Sequence, residues 1–378
     1  MIFRLWPFII GSVALGLDAY IIAGLLPLMA PDLSASEGMV GLGVTAFTGA
    51  YAVTGPVLAG AAGRNPGRSL SIALAVFTLG NLATAFTSSL AVFIIARIVA
   101  GGAAGVYSPL SSAVAAASVP EKNRGRALGL VLAGLAMGTV FGVPLGLILT
   151  KATSWRIGIL LVTVVGVVAL AGVFFSNSRD LPGVEAPSLG DRLRSVGTLP
   201  NLTTVSVTLL TGIASLGLYT YITSVLGDTG FRDSSTLGIW IWGLGGAVGV
   251  LLIGRLIDRV GNSLRITAVI LVLLTVSLLV VGTGPAVWVL GVALFVWGAA
   301  GWASLAPQQD TLLTANPHDG ATAVAANASA NYLGSALGSA LGAAVVAAGV
   351  SGTNLAYLAA VPVVVALGLH LLRMRLAR

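Results

Sequence analysis

The sequence contains no cysteine, which excludes disulfide bonds, thiolate metal sites and cysteine nucleophiles. Lysine occurs only at Lys122 and Lys151, so the phosphate-binding Gly-x-x-x-x-Gly-Lys motif is absent and this chain carries no ATP-driven mechanism. There is also no Gly-x-Ser-x-Gly nucleophile motif. The two histidines, His318 and His370, are isolated from each other, and we expect neither to bind a metal. These absences predict a protein that is not an enzyme and that has no cofactor and no metal site.

Charged residues are scarce as well, at 8% of the 378 residues, whereas 57% are hydrophobic and the mean hydropathy is +1.01. A soluble domain cannot bury so much apolar surface, so the composition indicates a polytopic membrane protein. The apolar runs are long and continuous rather than alternating with a period of two, which favours transmembrane helices over a β-barrel. Twelve runs are long enough to cross a bilayer, at approximately 5–30, 39–62, 69–87, 90–118, 127–150, 156–175, 201–226, 235–256, 265–283, 286–313, 321–348 and 354–373.

The net charge of +7 comes from basic residues scattered among the loops, so it indicates membrane topology rather than nucleic-acid binding. With the N-terminus inside, the outer side holds only Lys151, Arg156 and Arg232. Positive residues concentrate on the cytoplasmic side of membrane proteins, so both termini are predicted to be cytoplasmic, in the cell membrane. The predicted cytoplasmic set is Arg4, Arg64, Arg68, Lys122, Arg124, Arg126, Arg179, Arg192, Arg194, Arg255, Arg259, Arg265, Arg373, Arg375 and Arg378.

The chain is predicted to divide into two six-helix halves, 1–175 and 201–378, joined by a cytoplasmic linker at 176–200 that is rich in Pro, Gly and Ser. An internal repeat supports the division, because two glycine-bounded loops, 60–67 and 254–261, occupy equivalent positions in the two halves. Two equivalent halves around a midplane site are a common plan for secondary transporters. The predicted architecture is therefore an all-α, twelve-helix monomer in the lipid bilayer.

Two charges lie deep within the predicted spans, Asp18 near the middle of the first and Arg97 in the fourth. An intramembrane charge is costly and is functional by default. Burial favours the protonated form of a carboxyl group, so Asp18 is predicted to carry protons in a water-filled cavity, with Arg97 as its electrostatic helper. Asp18 as a counter-ion of a cationic substrate or as a structural acceptor stays open, as does Arg97 reaching to the outer interface.

Polar and aromatic groups within the spans are candidates for lining a substrate cavity. Asn327 and Asn331 share one helix face at a spacing of four residues, and amides in lipid need partners, so that face is expected to look inward. Interhelical hydrogen bonding explains the asparagines equally well, and packing is an open alternative for each tyrosine. The candidate set is Tyr20, Tyr51, Tyr107, Tyr219, Tyr221, Asn327 and Asn331.

The sequence resembles the major facilitator superfamily, in its twelve-helix drug and metabolite efflux branch. The stretch from Gly254 to Gly261 resembles the cytoplasmic loop signature of that superfamily, whereas the first-half copy has Arg64 in place of an aspartate. This arginine form, together with Gly142-Val-Pro144-Leu-Gly146 and Ser154-Trp155-Arg156, is similar to the arabinose-efflux and chloramphenicol-resistance permeases. The pattern Asp18-Ala-Tyr20 looks more like the bicyclomycin-resistance group.

The resemblance implies roles for several residues. Arg97 matches the arginine of the fourth-helix motif, which is thought to assist proton transfer. Glycines and a proline in the fifth span resemble the antiporter motif and are predicted to form a flexible outer seal, with a purely structural role left open. Charged loop residues are predicted to pair in one conformation and to separate in another, with membrane anchoring as the alternative. The predicted gating set is Arg64, Arg68, Asp258, Arg259, Gly142, Pro144 and Gly146.

These features together predict a secondary transporter that exports a small drug-like molecule or metabolite in exchange for protons by alternating access. Its predicted partners are the substrate, protons and the bilayer, without nucleic acid. Amphenicol-type antibiotics and sugars are the substrates that the resemblance implies. A proton-coupled importer or facilitator of a nutrient has the same fold and remains an alternative, as does a non-transporting sensor or lipid-handling protein.

Overall fold

A computed structural model describes residues 2–120, 123–151, 153–175, 181, 189–284, 286–316 and 320–376. These residues are almost entirely helical and contain no strand. Their α-helices are α1 (Ile2–Asp32), α2 (Glu37–Arg64), α3 (Pro66–Phe86), α4 (Leu90–Ala117), α5 (Arg124–Met137), α6 (Val143–Lys151), α7 (Trp155–Phe175), α8 (Leu189–Ser195), α9 (Leu199–Tyr219), α10 (Ile222–Gly227), α11 (Ser235–Val260), α12 (Ser263–Gly282), α13 (Val287–Ala303), α14 (Leu305–Ala315), α15 (Gly320–Ala347) and α16 (Gly352–Leu376).

The described residues contain twelve stretches long and apolar enough to cross a membrane, which confirms the predicted twelve-span, all-α class. Large apolar side chains are exposed along them, among them Phe175 at 82% and Leu251 at 75%. Exposed apolar surface of this extent is unusual in a soluble monomer and is what lipid-facing helices require. The protein is therefore a multi-pass membrane protein.

Three predicted spans are less regular than the sequence suggested. The fifth is interrupted by a π-helix at Gly138–Gly142, between α5 and α6. The seventh was predicted to run to residue 226, but α9 ends at Tyr219 and the separate helix α10 follows. The tenth divides at Ser304 into α13 and α14. Such breaks redirect side chains within a span, and irregular backbone at membrane depth is tolerated where it is buried in protein.

The chain clusters into two compact units, Met1–Ser36 with Ala46–Ser188, and Glu37–Thr45 with Leu189–Arg378. The second unit thus includes the first residues of α2, where the Ser224 hydroxyl donates to Glu37 Oε2 at 2.9 Å. Residues 176–180 and 182–188 of the predicted linker lie outside the described residues, and the short helix α8 occupies part of its remainder. The predicted boundaries at 175/176 and 200/201 stay predictions.

Each unit contains close pairs of helices built on glycine, and one pair is equivalent between the units. In the first unit, a Cβ at Gly138 would overlap the carbonyl oxygen of Val13 in α1. In the second unit, a Cβ at Gly338 in α15 would overlap the carbonyl oxygen of Ile213 in α9. Small residues let membrane helices approach until their backbones touch. The first and fifth spans of one unit therefore pack like the first and fifth spans of the other, as the internal repeat implies.

The two repeated turns also resemble each other in their capping. Asn65 caps α3 by accepting from the Arg68 backbone N–H, and Asn262 caps α12 by accepting from that of Arg265. A side-chain oxygen at this position satisfies one of the unpaired N–H groups that begin a helix. Gly261, which ends α11, has φ +61°, a left-handed conformation that favours glycine.

Candidate functional site

The two intramembrane charges meet in the first unit. Helix α1 carries Asp18 and helix α4 carries Arg97, and Arg97 Nη1 donates to Asp18 Oδ1 at 2.8 Å. Asp18 is 0% exposed and Arg97 is 1% exposed. Arg97 therefore lies in the interior of the unit and does not reach toward an outer interface. Opposite charges at this separation in a poorly solvated interior attract each other far more strongly than they would in water.

Asn81 on α3 is a third member of this cluster. Its Nδ2 donates to Asp18 Oδ2 at 3.2 Å and to the Phe77 carbonyl oxygen at 3.1 Å, while its Oδ1 accepts from Arg97 Nη1 at 3.2 Å. One amide thus contacts both charges and is itself fixed to its own helix. Asn81 was not among the residues predicted from the sequence, although an asparagine within an apolar span is the signal that selected Asn327 and Asn331. We refer to Asp18, Asn81 and Arg97 as the charged triad.

The surroundings of Arg97 leave little room for water. The guanidinium carbon lies 4.4 Å from the centre of the Phe47 ring, a cation–π contact. Arg97 Nε has no hydrogen-bond partner among the described residues. In this structure Asn81 and Phe47 both contact Arg97, and the water-filled cavity predicted around Asp18 and Arg97 stays a prediction. The compensation of the Arg97 charge rests mainly on Asp18.

The charge balance of this cluster depends on both of its charged members. Protonation of Asp18 would remove the negative charge and leave Arg97 as a buried cation without a counter-ion. Losing one partner of a buried pair destabilises a protein by about 3–5 kcal/mol, since the remaining charge is uncompensated. The triad joins α1, α3 and α4, so a change in the charge of Asp18 biases the packing of three membrane helices.

The glycine and proline motif of the fifth span supports the helix that carries Asp18. The π-helix ends at Gly142, and Pro144 follows in the first turn of α6, where its missing N–H removes a backbone hydrogen bond. The Thr139 hydroxyl donates to the Gly16 carbonyl oxygen of α1 at 3.2 Å. A Cβ at Gly146 would lie 2.5 Å from Ile21 Cδ1, so this stretch lies directly against α1. The predicted role of Gly142, Pro144 and Gly146 in an outer seal stays a prediction.

The tyrosines of the first unit occupy different surroundings. Tyr107 is fully buried, and its hydroxyl lies 3.3 Å from the Phe8 carbonyl oxygen and 3.4 Å from that of Pro7, to which it donates. Those contacts fix α4 to the start of α1. They fit a packing role for Tyr107, the alternative to lining a substrate cavity. Tyr20 and Tyr51 are half-buried.

An aromatic cluster fills the core of the second unit. Tyr219 stacks on Trp242 with ring centres 4.1 Å apart, and Trp242 meets Trp297 and Trp302 edge to face at 5.9 Å and 5.6 Å. The Trp297 indole N–H donates to Ser215 Oγ at 3.0 Å. Aromatic pairs in these geometries add to the packing energy. Only Tyr219 of this cluster was among the predicted cavity residues.

Several polar contacts of this unit are between neutral groups, although the buried Arg192 donates to the Ala325 carbonyl oxygen at 3.3 Å. Thr208 on α9 donates to Gln308 Oε1 on α14 at 2.5 Å, and Gln308 Nε2 donates to the Ser304 carbonyl oxygen at 2.9 Å. Tyr221, at the break between α9 and α10, donates to the Ser339 carbonyl oxygen at 2.8 Å. These bonds tie α9 to its neighbours without placing a charge in the core.

The two asparagines of α15 differ in burial. Asn327 is 0% exposed, and neither atom of its amide has a hydrogen-bond partner among the described residues. Asn331, one turn later, is half-buried. A buried polar atom without a partner costs about 1–3 kcal/mol, so the Asn327 amide is an exception that calls for an explanation.

The four charged residues predicted to gate the cytoplasmic loops are all exposed. Arg64 ends α2 and Arg68 lies in the first turn of α3, whereas Asp258 and Arg259 lie in the last turn of α11. Within each unit, the described residues place none of these side chains in an ion pair. Their pairing in another conformation stays a prediction.

Twelve membrane spans in two glycine-packed units, with a charged triad in one of them, define a protein of the secondary-transporter class. A model of the Major Facilitator Superfamily matches residues 8–339. The chain therefore belongs to the Major Facilitator Superfamily, whose members are membrane transporters, and the resemblance drawn from the sequence motifs is confirmed.

Individual relatives agree with this assignment. The chain is 28% identical over 303 residues to the inner membrane transport protein YdhP of Escherichia coli strain K12, covering 79% of this chain and 77% of that protein. It is 30% identical over 252 residues to a chloramphenicol resistance protein of Streptomyces lividans, covering 65% of this chain and 64% of that one. A crystal structure of a mutant of the nucleoside transporter NupG has the same fold, with a TM-score of 0.78, 11% identity and coverage of 98% and 99%.

Proposed function

We propose that this protein exports a small drug-like molecule or metabolite in exchange for protons, and that Asp18 carries the proton. The observation that supports this most is the burial of Asp18 against Arg97 and Asn81, across three membrane helices. An intramembrane carboxylate held by one cation is a group whose charge can be switched by a single proton.

In this proposal, the charged triad is intact when Asp18 is ionised. A proton that reaches Asp18 from the outer side neutralises it, and the uncompensated Arg97 then favours a different packing of α1 against α3 and α4. Release of that proton to the cytoplasmic side restores the pair. A ligand that binds one packing better than the other shifts the same equilibrium, which couples proton movement to substrate movement.

The proposed substrate is a neutral or weakly charged amphiphile. The interior of the second unit contains hydroxyl, amide and indole groups beside aromatic rings, a chemistry suited to such a molecule. The relative from Streptomyces lividans is named for chloramphenicol resistance, which makes amphenicols the first compounds to try. Asn327, Asn331 and Tyr219 are the side chains of this unit that we propose as its contacts.

A growth-inhibition panel in a host stripped of its own exporters tests the proposal. Wild type, Asp18→Asn and empty vector are compared on chloramphenicol, arabinose and uridine, with expression of each protein measured in the membrane. Asp233→Asn is the matched control, because Asp233 is exposed in the short helix before α11. We expect wild type and the control to protect against at least one compound and Asp18→Asn to protect against none.

Equal protection by wild type and Asp18→Asn would show that Asp18 does not couple transport to protons. The second candidate function, proton-coupled import of a nutrient, has the same buried triad. Cells that accumulate a labelled compound through wild type, rather than excluding it, would favour import over export.

A further inference from the structure

A groove of about 490 Å³ lies within the first unit, between α2, α3 and α4. Mostly aliphatic side chains line it. Several of these side chains are exposed on the outside of the unit, including Ile72 at 52% and Ile98 at 47%. The Thr54 hydroxyl in the wall donates to the Gly102 and Ala50 carbonyl oxygens, so it is already satisfied. The groove therefore suits an apolar chain rather than a polar solute.

One end of the groove lies at the turn between α2 and α3. Ala61 and Ser69 line this end, and Arg64 and Arg68 lie within three residues of them. Both arginines are exposed, and neither forms an ion pair with the described residues of this unit. Two unpaired cations thus stand at the mouth of an apolar groove, on the side that the distribution of arginine and lysine predicts to be cytoplasmic.

We infer that this groove binds one anionic phospholipid. An acyl chain lies along the groove from Ala61 toward Ile98, and the headgroup phosphate binds Arg64 and Arg68. Basic residues next to membrane helices attract anionic lipids of the cytoplasmic leaflet, and arginine matches phosphate geometry with two parallel hydrogen bonds. From Ser69 to Val76 the α3 wall rises roughly 10 Å, long enough to hold a substantial part of an acyl chain.

The inference does not depend on proton coupling, because the groove includes none of the charged triad. The turn between α2 and α3 has Arg64 where the equivalent turn of the second unit has Asp258. The inference assigns a ligand to that arginine. A bound lipid at this point would bridge α2, α3 and α4 on the face of the unit that meets the bilayer.

Native mass spectrometry of the purified, delipidated protein tests the inference, with dioleoyl phosphatidylglycerol and dioleoyl phosphatidylcholine as probes. We expect wild type to retain one phosphatidylglycerol in preference to phosphatidylcholine. Arg64→Gln/Arg68→Gln should weaken that binding roughly 30-fold, since each basic residue near the surface contributes about 1 kcal/mol and 1.4 kcal/mol is tenfold. The matched control, Arg255→Gln/Arg265→Gln, removes two exposed arginines around the equivalent turn of the second unit and should leave binding unchanged.

Ala61→Phe tests the groove itself, because Ala61 is exposed and a larger side chain there closes the groove without disturbing the core. We expect it to weaken retention of both lipids, with an unchanged melting temperature as the test of folding. Equal effects of the two arginine double variants, or no preference for phosphatidylglycerol, would overturn the inference. Undiminished binding to Ala61→Phe, or full displacement of the lipid by glycerol 3-phosphate, would also overturn it, since either result places the site outside the groove.

Discussion

The interiors of the two units use different chemistry on similar helix packing. In the first unit, a carboxylate, an amide and a guanidinium lie within hydrogen-bond distance and are closed off from solvent. In the second unit, hydroxyl, amide and indole groups form neutral hydrogen bonds beside stacked aromatic rings. The close helix pairs α1 with the fifth span and α9 with α15 are nevertheless equivalent. Helix packing in this chain is thus conserved between the halves while the polar interior is not.

The difference predicts that the two units respond unequally to the loss of one polar group. A buried ion pair is very sensitive to the loss of one charge, whereas a neutral hydrogen bond contributes only about 0.5–1.5 kcal/mol and carries no charge to lose. Loss of one charge should therefore destabilise the first unit more than loss of one hydrogen bond destabilises the second. Four sets of variants test this comparison, and they follow in order of expected effect.

Breaking the buried pair should have the largest effect. Asp18→Asn leaves Arg97 charged and uncompensated, so we expect unfolding free energy to fall by about 3–5 kcal/mol. Asp18→Asn/Arg97→Gln removes both charges and should recover most of that loss. Thermal unfolding in detergent, at one pH and one salt concentration, measures both. If the double variant is as unstable as the sum of the two single variants, the charges are not energetically coupled.

Asn81 should rank second, because its amide contacts both charges. Asn81→Leu removes those hydrogen bonds, and we expect a loss of about 1–3 kcal/mol in the same measurement. Thr78→Val, one turn away on α3, is the matched control, since the buried Thr78 hydroxyl has no hydrogen-bond partner among the described residues. That control should be neutral or slightly stabilising. A similar loss in both variants would mean that Asn81 acts only as packing.

The neutral contacts of the second unit should each matter less for stability. Thr208→Val removes the bond to Gln308, and we expect a loss of about 1 kcal/mol. Asn327→Leu loses no hydrogen bond and should be neutral or stabilising, yet it should impair export if its amide binds substrate. Melting temperature and the growth assay, measured on the same variants, separate the two effects. An Asn327→Leu variant that exports normally would exclude Asn327 as a substrate contact.

The partly exposed ion pair of the first unit should give the smallest effect. Arg156 donates to Asp32 Oδ2 at 2.5 Å, where the side chains are 30% and 45% exposed. Exposed pairs contribute about 0–1 kcal/mol and are screened by salt, so Arg156→Gln should cost less than 1 kcal/mol and less still in 1 M NaCl. The difference between this loss of unfolding free energy and the loss in Asp18→Asn measures how much burial increases the cost of breaking an ion pair. A loss as large as that of Asp18→Asn would show that burial is not the deciding factor.

Much of the fold follows from the sequence because a bilayer imposes strong rules. Apolar runs of about twenty residues must be helical, so twelve runs predicted twelve spans. Asp18 and Arg97 were both recognised, since a charge within an apolar run is conspicuous and needs a partner. Their mutual contact depends on how three helices pack, which no periodicity in one span reveals.

Other features had weaker signals. Asn81 is neutral and stands alone in its span, so nothing beyond its polarity marked it. The end of α9 at Tyr219 has no proline beside it, and Gly217 in its last turn resembles glycines inside unbroken spans, so the sequence does not predict a division there. The π-helix, in contrast, precedes Pro144, and a proline within a span is a recognised cause of an irregular helix. Burial, which decides the energetics of the triad, became apparent only from the packing of Phe47 and Asn81.

The most direct test of proton coupling uses the neutral double variant Asp18→Asn/Arg97→Gln in proteoliposomes, with labelled chloramphenicol as the first probe. Wild type should accumulate the label when an imposed pH gradient drives it and should also exchange it without a gradient. We predict that the double variant retains exchange and loses the response to the gradient. Gradient-driven accumulation that persists in the double variant would contradict the assignment of Asp18 as the proton carrier.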